Sequence, residues 1–150
     1  MDDEAARNPT SRAIAYHSTD YVLRYMLGIG SIFNYEYETM LIYLVIANSG
    51  VQHLINTPSR FAPYASLDTI VPIELQSPAT RSAIARATGL PRETVRRKVA
   101  GMLASGLLTT NPRGGLFLTP GILSSDGIAD LLAKNEADVK RLVRQVSPLM

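Results

Sequence analysis

The chain has no cysteine and only two histidines, His17 and His53. The missing thiols exclude disulfides, zinc ribbons, iron–sulfur clusters and cysteine nucleophiles together. Two histidines this far apart form no recognisable metal motif, and neither a metal nor a cofactor is expected. There is no Gly-rich phosphate loop and no Ser–His–Asp order, and Glu36 and Glu38 fall on different faces of a helix, so no enzyme is expected. The opening Met1-Asp2-Asp3-Glu4 is acidic, whereas a secretory signal starts basic and runs into an apolar stretch. A cytoplasmic location follows as the expectation. With 150 residues, 46% apolar and 19% charged, the chain is one domain's worth and needs no covalent staple to bury a core.

Charge is absent from Thr39 to Ser59, and Met40 to Ala47 is apolar apart from the Tyr43 hydroxyl. A spanning helix needs about 20 mostly apolar residues. Here the second half carries Asn48, Ser49, Gly50, Gln52, His53 and Asn56, which lipid accepts at a cost. A buried helix or a subunit interface is expected instead, with no membrane partner.

The net charge of +2 hides a division. Between Arg81 and Arg113 lie seven basic residues and one acid, Glu93, while the remainder holds eight basic and twelve acidic residues. A basic block on an acidic body suits a polyanion partner.

Residues 1–10 read as a flexible polar tail. Over Ser11–Phe33, Val22, Met26, Ile29 and Phe33 recur at helical spacing, with Tyr21 and Tyr25 widening the face. Gly28 and Gly30 weaken that helix or let something pack closely on it. Asn34 is a candidate cap for a second helix, with Glu36 and Glu38 in its first turn. That helix is apolar on nearly all sides and therefore central. Pro58, Pro63, Pro72 and Pro78 interrupt residues 57–78, which are still too apolar for a solvated linker. A packed irregular segment is expected there, with one short helix near Ala65–Ile70 and no identifiable ligand. A last helix, Gly127 to Val146, places Ile128, Leu132, Val139, Leu142 and Val146 on one seam with Asn135, flanked by Leu131 and Val143.

The segment from Ala79 to Gly121 carries the chemistry. A short helix from Arg81 to about Ala87 turns at Thr88-Gly89-Leu90-Pro91. Gly89 supplies the positive φ of a tight turn and Pro91 pre-sets the next helix, which runs to Ser105 and stops at Gly106. Val95, Val99, Met102 and Leu103 make its apolar stripe. Glu93, Arg97, Ala100, Gly101 and Ala104 lie opposite, with Arg96 and Lys98 on the shoulders. Small residues on an outer face allow close approach, and a mid-helix glycine costs roughly 1 kcal/mol relative to alanine, which makes Gly101 notable. Leu107–Thr110 and Leu116–Thr119 then alternate as strands around Asn111-Pro112-Arg113-Gly114-Gly115, a hairpin tip with one arginine.

Ile84-Ala85-Arg86-Ala87-Thr88-Gly89-Leu90-Pro91-Arg92-Glu93-Thr94-Val95-Arg96-Arg97 resembles the helix-turn-helix of winged-helix bacterial regulators. Arg92-Glu93-Thr94-Val95 is similar to the catabolite-activator class. Ala104-Ser105-Gly106-Leu107-Leu108 and Leu118-Thr119-Pro120-Gly121 look more like the MarR class. The resemblance covers about 43 residues and implies a mainly α fold: a single winged-helix domain over 11–150, its hairpin wing flanked by N- and C-terminal helices. It implies a homodimeric transcriptional regulator on double-stranded DNA, with the 91–105 helix in the major groove and the 109–116 wing on the backbone or minor groove. Arg92, Arg96 and Arg97 are then candidates for base or phosphate contacts, Arg81, Arg86, Thr94 and Lys98 for phosphate, Gly101 for close approach, and Arg113 for the wing. Residues 11–56 and 127–146 would carry the dimer, Asn135 setting register between twins. Operator, direction of regulation and any small-molecule effector are not specified. The other reading is a winged-helix module whose basic face meets an acidic protein.

Overall fold

The computed structural model describes residues 9–150; most of the tail read over 1–10 lies outside the described residues. The fold is mainly helical with one small hairpin. Helices α1 (Ser11–Ile32), α2 (Tyr37–Ile55), a single turn α3 (Pro58–Phe61), α4 (Arg81–Thr88) and α5 (Arg92–Ala104) precede strands β1 (Leu108–Thr110) and β2 (Leu116–Leu118), and α6 (Asp126–Val146) closes the chain. The strands pair antiparallel, Leu108 opposite Leu118 and Thr110 opposite Leu116. This is the helix–turn–helix–hairpin order of a winged helix, flanked by helices on both sides. No helix among the described residues is long and apolar enough to cross a membrane.

The uncharged stretch is the centre. Met40, Ile42, Tyr43, Ile46 and Leu54 of α2 are buried, and α1, α4, α5 and β2 all pack on this helix. Ile84 of α4 and Val95, Val99 and Met102 of α5 complete the core from the reader side, as their spacing requires. Burial pushes the Tyr43 phenol up to about 12, so it stays neutral in the core.

The start of α2 differs from expectation. Asn34 does not cap it; Asn34 and Tyr35 adopt left-handed φ values of 52° and 58°, and Glu36 is the N-cap residue. The chain reverses sharply here because the Tyr35 amide donates to Gly30 O (2.8 Å) and its ring lies on Gly30, where a Cβ would collide with it. Close packing explains Gly28 likewise, since Leu131 of α6 rests against it.

Two further expectations are corrected. No helix forms at Ala65–Ile70. The helical turns fall at Pro58–Phe61, Ala62–Tyr64 and Ile73–Leu75, because Pro58 and Pro63 suit helix starts, while Ser66 folds its hydroxyl and carbonyl onto Asp68 and Thr69 as a turn. The inner face of α1 is also rotated: Val22 is exposed, whereas Tyr21, Tyr25 and Ile29 turn inward.

The terminal helices cover each other. Ile32 meets Gly127, Gly28 meets Leu131 and Tyr21 meets Asn135, an order that makes α1 and α6 antiparallel. The Thr10 hydroxyl donates to Leu149 O (3.0 Å), so the end of the expected tail is anchored. Asn135 accepts a hydrogen bond from the Tyr21 hydroxyl at 2.8 Å. Its polar place on the seam is thus satisfied within the chain, and the inference from Asn135 to a twin falls.

A third backbone segment joins the hairpin. Ala79 bridges to Leu116 through two hydrogen bonds of 2.9 and 2.8 Å. Beside this bridge, Gly115 is buried, and a Cβ there would stand 2.5 Å from Pro78 Cβ, a rigid neighbour. Gly115→Ala is therefore expected to destabilise the fold by about 1–3 kcal/mol through overpacking, read as a lowered urea midpoint at unchanged slope.

Candidate nucleic-acid interface

The α4–α5 turn is built as its residues demand. Thr80 caps α4 by accepting from Ala83 N (3.0 Å). Gly89 takes φ 73°, and its amide closes on Ala85 O, a left-handed ending open to glycine at no steric cost. Pro91 is the residue before α5, at φ −58° and ψ 143°, one position earlier than expected. Because Val95, Val99 and Met102 are drawn into the core, the 3.6-residue period turns Arg97, Ala100, Gly101 and Ala104 outward, and all four are exposed.

At the N-terminal ends of the two helices lies a cleft lined by Arg81, Ser82, Arg92, Glu93 and Arg96. Ser82 was not singled out from sequence; its exposed place in the first turn of α4 is visible only once both helix starts are seen to converge. Arg86 sits later on α4, and Arg113 is exposed at the hairpin tip. That tip is organised by Asn111, whose side-chain oxygen accepts from Arg113 N (3.1 Å) and Gly115 N (2.8 Å) and whose carbonyl accepts from Gly114 N. Gly114, at φ 78°, supplies the turn's left-handed residue. Thr94, in the first turn of α5, is half-buried and does not line the cleft.

The basic block divides electrostatically. Arg96 makes a two-pronged pair with Glu93 one turn earlier, and its guanidinium holds the Glu93 carboxyl below the usual carboxylate range. Lys98 does not project freely. Its ammonium lies 2.9 Å from Glu36 and 3.8 Å from Glu38, with 16% of its side chain exposed, tying α5 to the start of α2. The hydrogen bond from Lys98, with a second from the Thr39 hydroxyl, lowers the Glu36 pKa. Among the described residues Arg81, Arg86, Arg92, Arg97 and Arg113 have no carboxylate partner. The available positive charge is therefore arginine, a fork-shaped donor suited to phosphate and to guanine edges.

Neither histidine joins this surface. His53 Nδ1 lies 3.2 Å from Ser77 Oγ and His17 packs edge-on against Tyr16. No cluster of three or more metal-ligating side chains occurs among the described residues. Comparison with family models, curated proteins and solved structures finds no match to the chain.

Two outcomes follow from this surface. Nothing stands within 4 Å of a Cβ placed on Gly101, so Gly101→Ala is expected to raise stability by about 0.5–1 kcal/mol, measured by chemical denaturation. For the Glu36–Lys98 bridge, the folded pKa of Glu36 is depressed. Its stabilising contribution is present above the ordinary glutamate value and is lost as pH falls through the lowered one. The melting-temperature gap between the native chain and Glu36→Gln should accordingly close on acidification. It should be small throughout, because Glu36 is 55% exposed.

Proposed function

We propose that this chain is a sequence-specific DNA-binding transcriptional regulator. The observation that carries the reading is the outer side of α5, where Arg92 and Arg97 have no carboxylate partner among the described residues and Ala100, Gly101 and Ala104 are exposed, with Arg81 across the cleft at the start of α4 and two further exposed arginines, Arg86 on α4 and Arg113 at the hairpin tip. On this reading α5 enters the major groove N-terminal end first. Arg92 and Arg97 reach base edges or phosphate, Arg81 and Arg86 hold the backbone, and Arg113 meets the backbone or minor groove from the hairpin. Arg96 exchanges Glu93 for phosphate on binding, and Thr94 contributes its hydroxyl.

The proposal includes a homodimer, supported by leftover apolar surface and not by Asn135. Val22, Leu23 and Leu27 of α1 and Val143 of α6 each leave about half of their area to solvent. Two copies joined through these helices would present two α5 helices to half-sites about one DNA turn apart.

Binding is expected to be steeply salt-dependent. With about 6–10 phosphate contacts per dimer, affinity should fall roughly 10³–10⁵-fold between 50 and 200 mM salt. Arg97→Ala should cost about 1–3 kcal/mol and relax preference at one base position, and Ala104→Glu should abolish binding in a chain whose circular dichroism is unchanged. Selection from a random DNA pool, followed by titration of the recovered sequences, tests all three. Recovery of no sequence, or a flat salt response, sinks the DNA reading. An acidic protein captured by the same arginines would then favour the interaction-module reading.

A further inference from the structure

The Pro-interrupted segment between α2 and α4 does more than cover the core. It leaves α2 at Thr57, arches outward, and returns where Ser77 N donates to Gly50 O (3.1 Å) and His53 meets the Ser77 hydroxyl. Gln76 braces the arch from within by donating to Val71 O (2.9 Å). Beneath it lies a cavity of about 280 Å³. Its floor is Ile46 and Leu54 of α2, its roof Phe61, Tyr64 and Ile70 of the arch, and its far wall Leu118 at the base of the hairpin. An apolar segment this rich in side chains would be expected to collapse onto α2. Pro58, Pro63 and Pro72 restrict its backbone, and the space stays open.

We propose that this cavity is a binding site for a neutral, largely apolar small molecule about the size of two fused six-membered rings. Size is the first argument: a dry apolar cavity of about 150 Å³ accepts benzene, and this one has nearly twice that volume. Charge is the second. Among the described residues no Asp, Glu, Lys, Arg or His lines the cavity, so a charged group seated in it would lack a counter-charge, which is costly. The third is the polar handle. Tyr64 and Thr69 are among the lining residues, and their hydroxyls make no hydrogen bond among the described residues, which leaves them available as the few orienting groups that small-molecule sites provide. The site does not depend on the DNA reading, yet it adjoins the same hairpin. Thr119 in the cavity wall donates through its amide to Leu107 O (3.0 Å) and through its hydroxyl to Gly106 O (2.6 Å), next to the end of α5.

Titration of 2-naphthol into the full chain without DNA, by calorimetry and by amide chemical shifts, tests the site. Saturable binding to one site per chain is expected, with shifts concentrated over residues 51–55 and 118–122. At neutral pH 2-naphthoate, the same rings with a carboxylate, should bind about tenfold more weakly or worse. Ala65→Trp, at an exposed position on the cavity rim, should weaken 2-naphthol about tenfold or more with unchanged circular dichroism. Ala47→Phe repeats the block from the α2 side. Leu27→Gln, on the exposed face of α1, should bind like the native chain. No binding of 2-naphthol, equal binding of 2-naphthoate, or loss in Leu27→Gln with retention in Ala65→Trp would each overturn the proposal. So would a failure to bind accompanied by dissociation of a dimer in Ala65→Trp, which would make the cavity a contact between copies. Because all readouts use the DNA-free chain, a failed DNA reading leaves them interpretable.

Discussion

Burial of α2 is the constraint on which the other elements depend. Met40, Ile42, Tyr43, Ile46 and Leu54 are buried and leave only a narrow exposed strip that includes Asn48 and Gln52, and fully burying one such side chain stabilises by roughly 1.5–3 kcal/mol. The helix must be covered on several sides at once. α4 and α5 cover it with Ile84, Val95 and Val99, β2 with Leu116, and α1 with Ile29. α4 and α5 each bury one apolar stripe, Ile84 on the first and Val95, Val99 and Met102 on the second, so covering α2 also decides which of their residues face outward. The basic face is displayed because the opposite face of α5 is spent on this helix.

The Lys98 bridge refines that geometry. Glu36 sits at the start of α2 and Lys98 near the middle of α5, and their 2.9 Å contact spans elements far apart in sequence. In an exposed setting such a pair contributes little energy. Its larger effect is to remove one cation from the outward surface. With Arg96 held by Glu93, the remaining positive charge is carried by arginines at the helix starts, on α5 and at the hairpin tip. A face of this kind favours anions of planar or forked geometry over a diffuse negative surface.

The cavity and the hairpin share a wall. Leu118 belongs to both, and Thr119, the next residue and also in the cavity wall, is hydrogen-bonded to the residues that follow α5. A molecule under the arch would therefore touch the strand that fixes the hairpin's position. The Ala79–Leu116 bridge holds that strand from the other side. The hairpin base is thus hydrogen-bonded on both sides, while its tip at Arg113 lies beyond these contacts.

Sequence by itself determined the elements that rest on local chemistry. Val95, Val99 and Met102 define an inner stripe whichever partner covers it, Gly89 needs its left-handed φ in any tight turn, and the asparagine-glycine tip closes a hairpin on its own. The hairpin, α5 and the central place of α2 were legible for that reason. The tertiary structure alone decided matters that depend on which surfaces meet. Asn135 faces a tyrosine of its own chain, Lys98 is drawn to Glu36, Ser82 joins Arg81 and Arg92 across two helix starts, and Tyr35 turns back onto Gly30. None of these follows from spacing. A helical period states that a residue is on a face, whereas the identity of its partner is settled only by which helices pack together, at what register, and with what charge left unpaired between them.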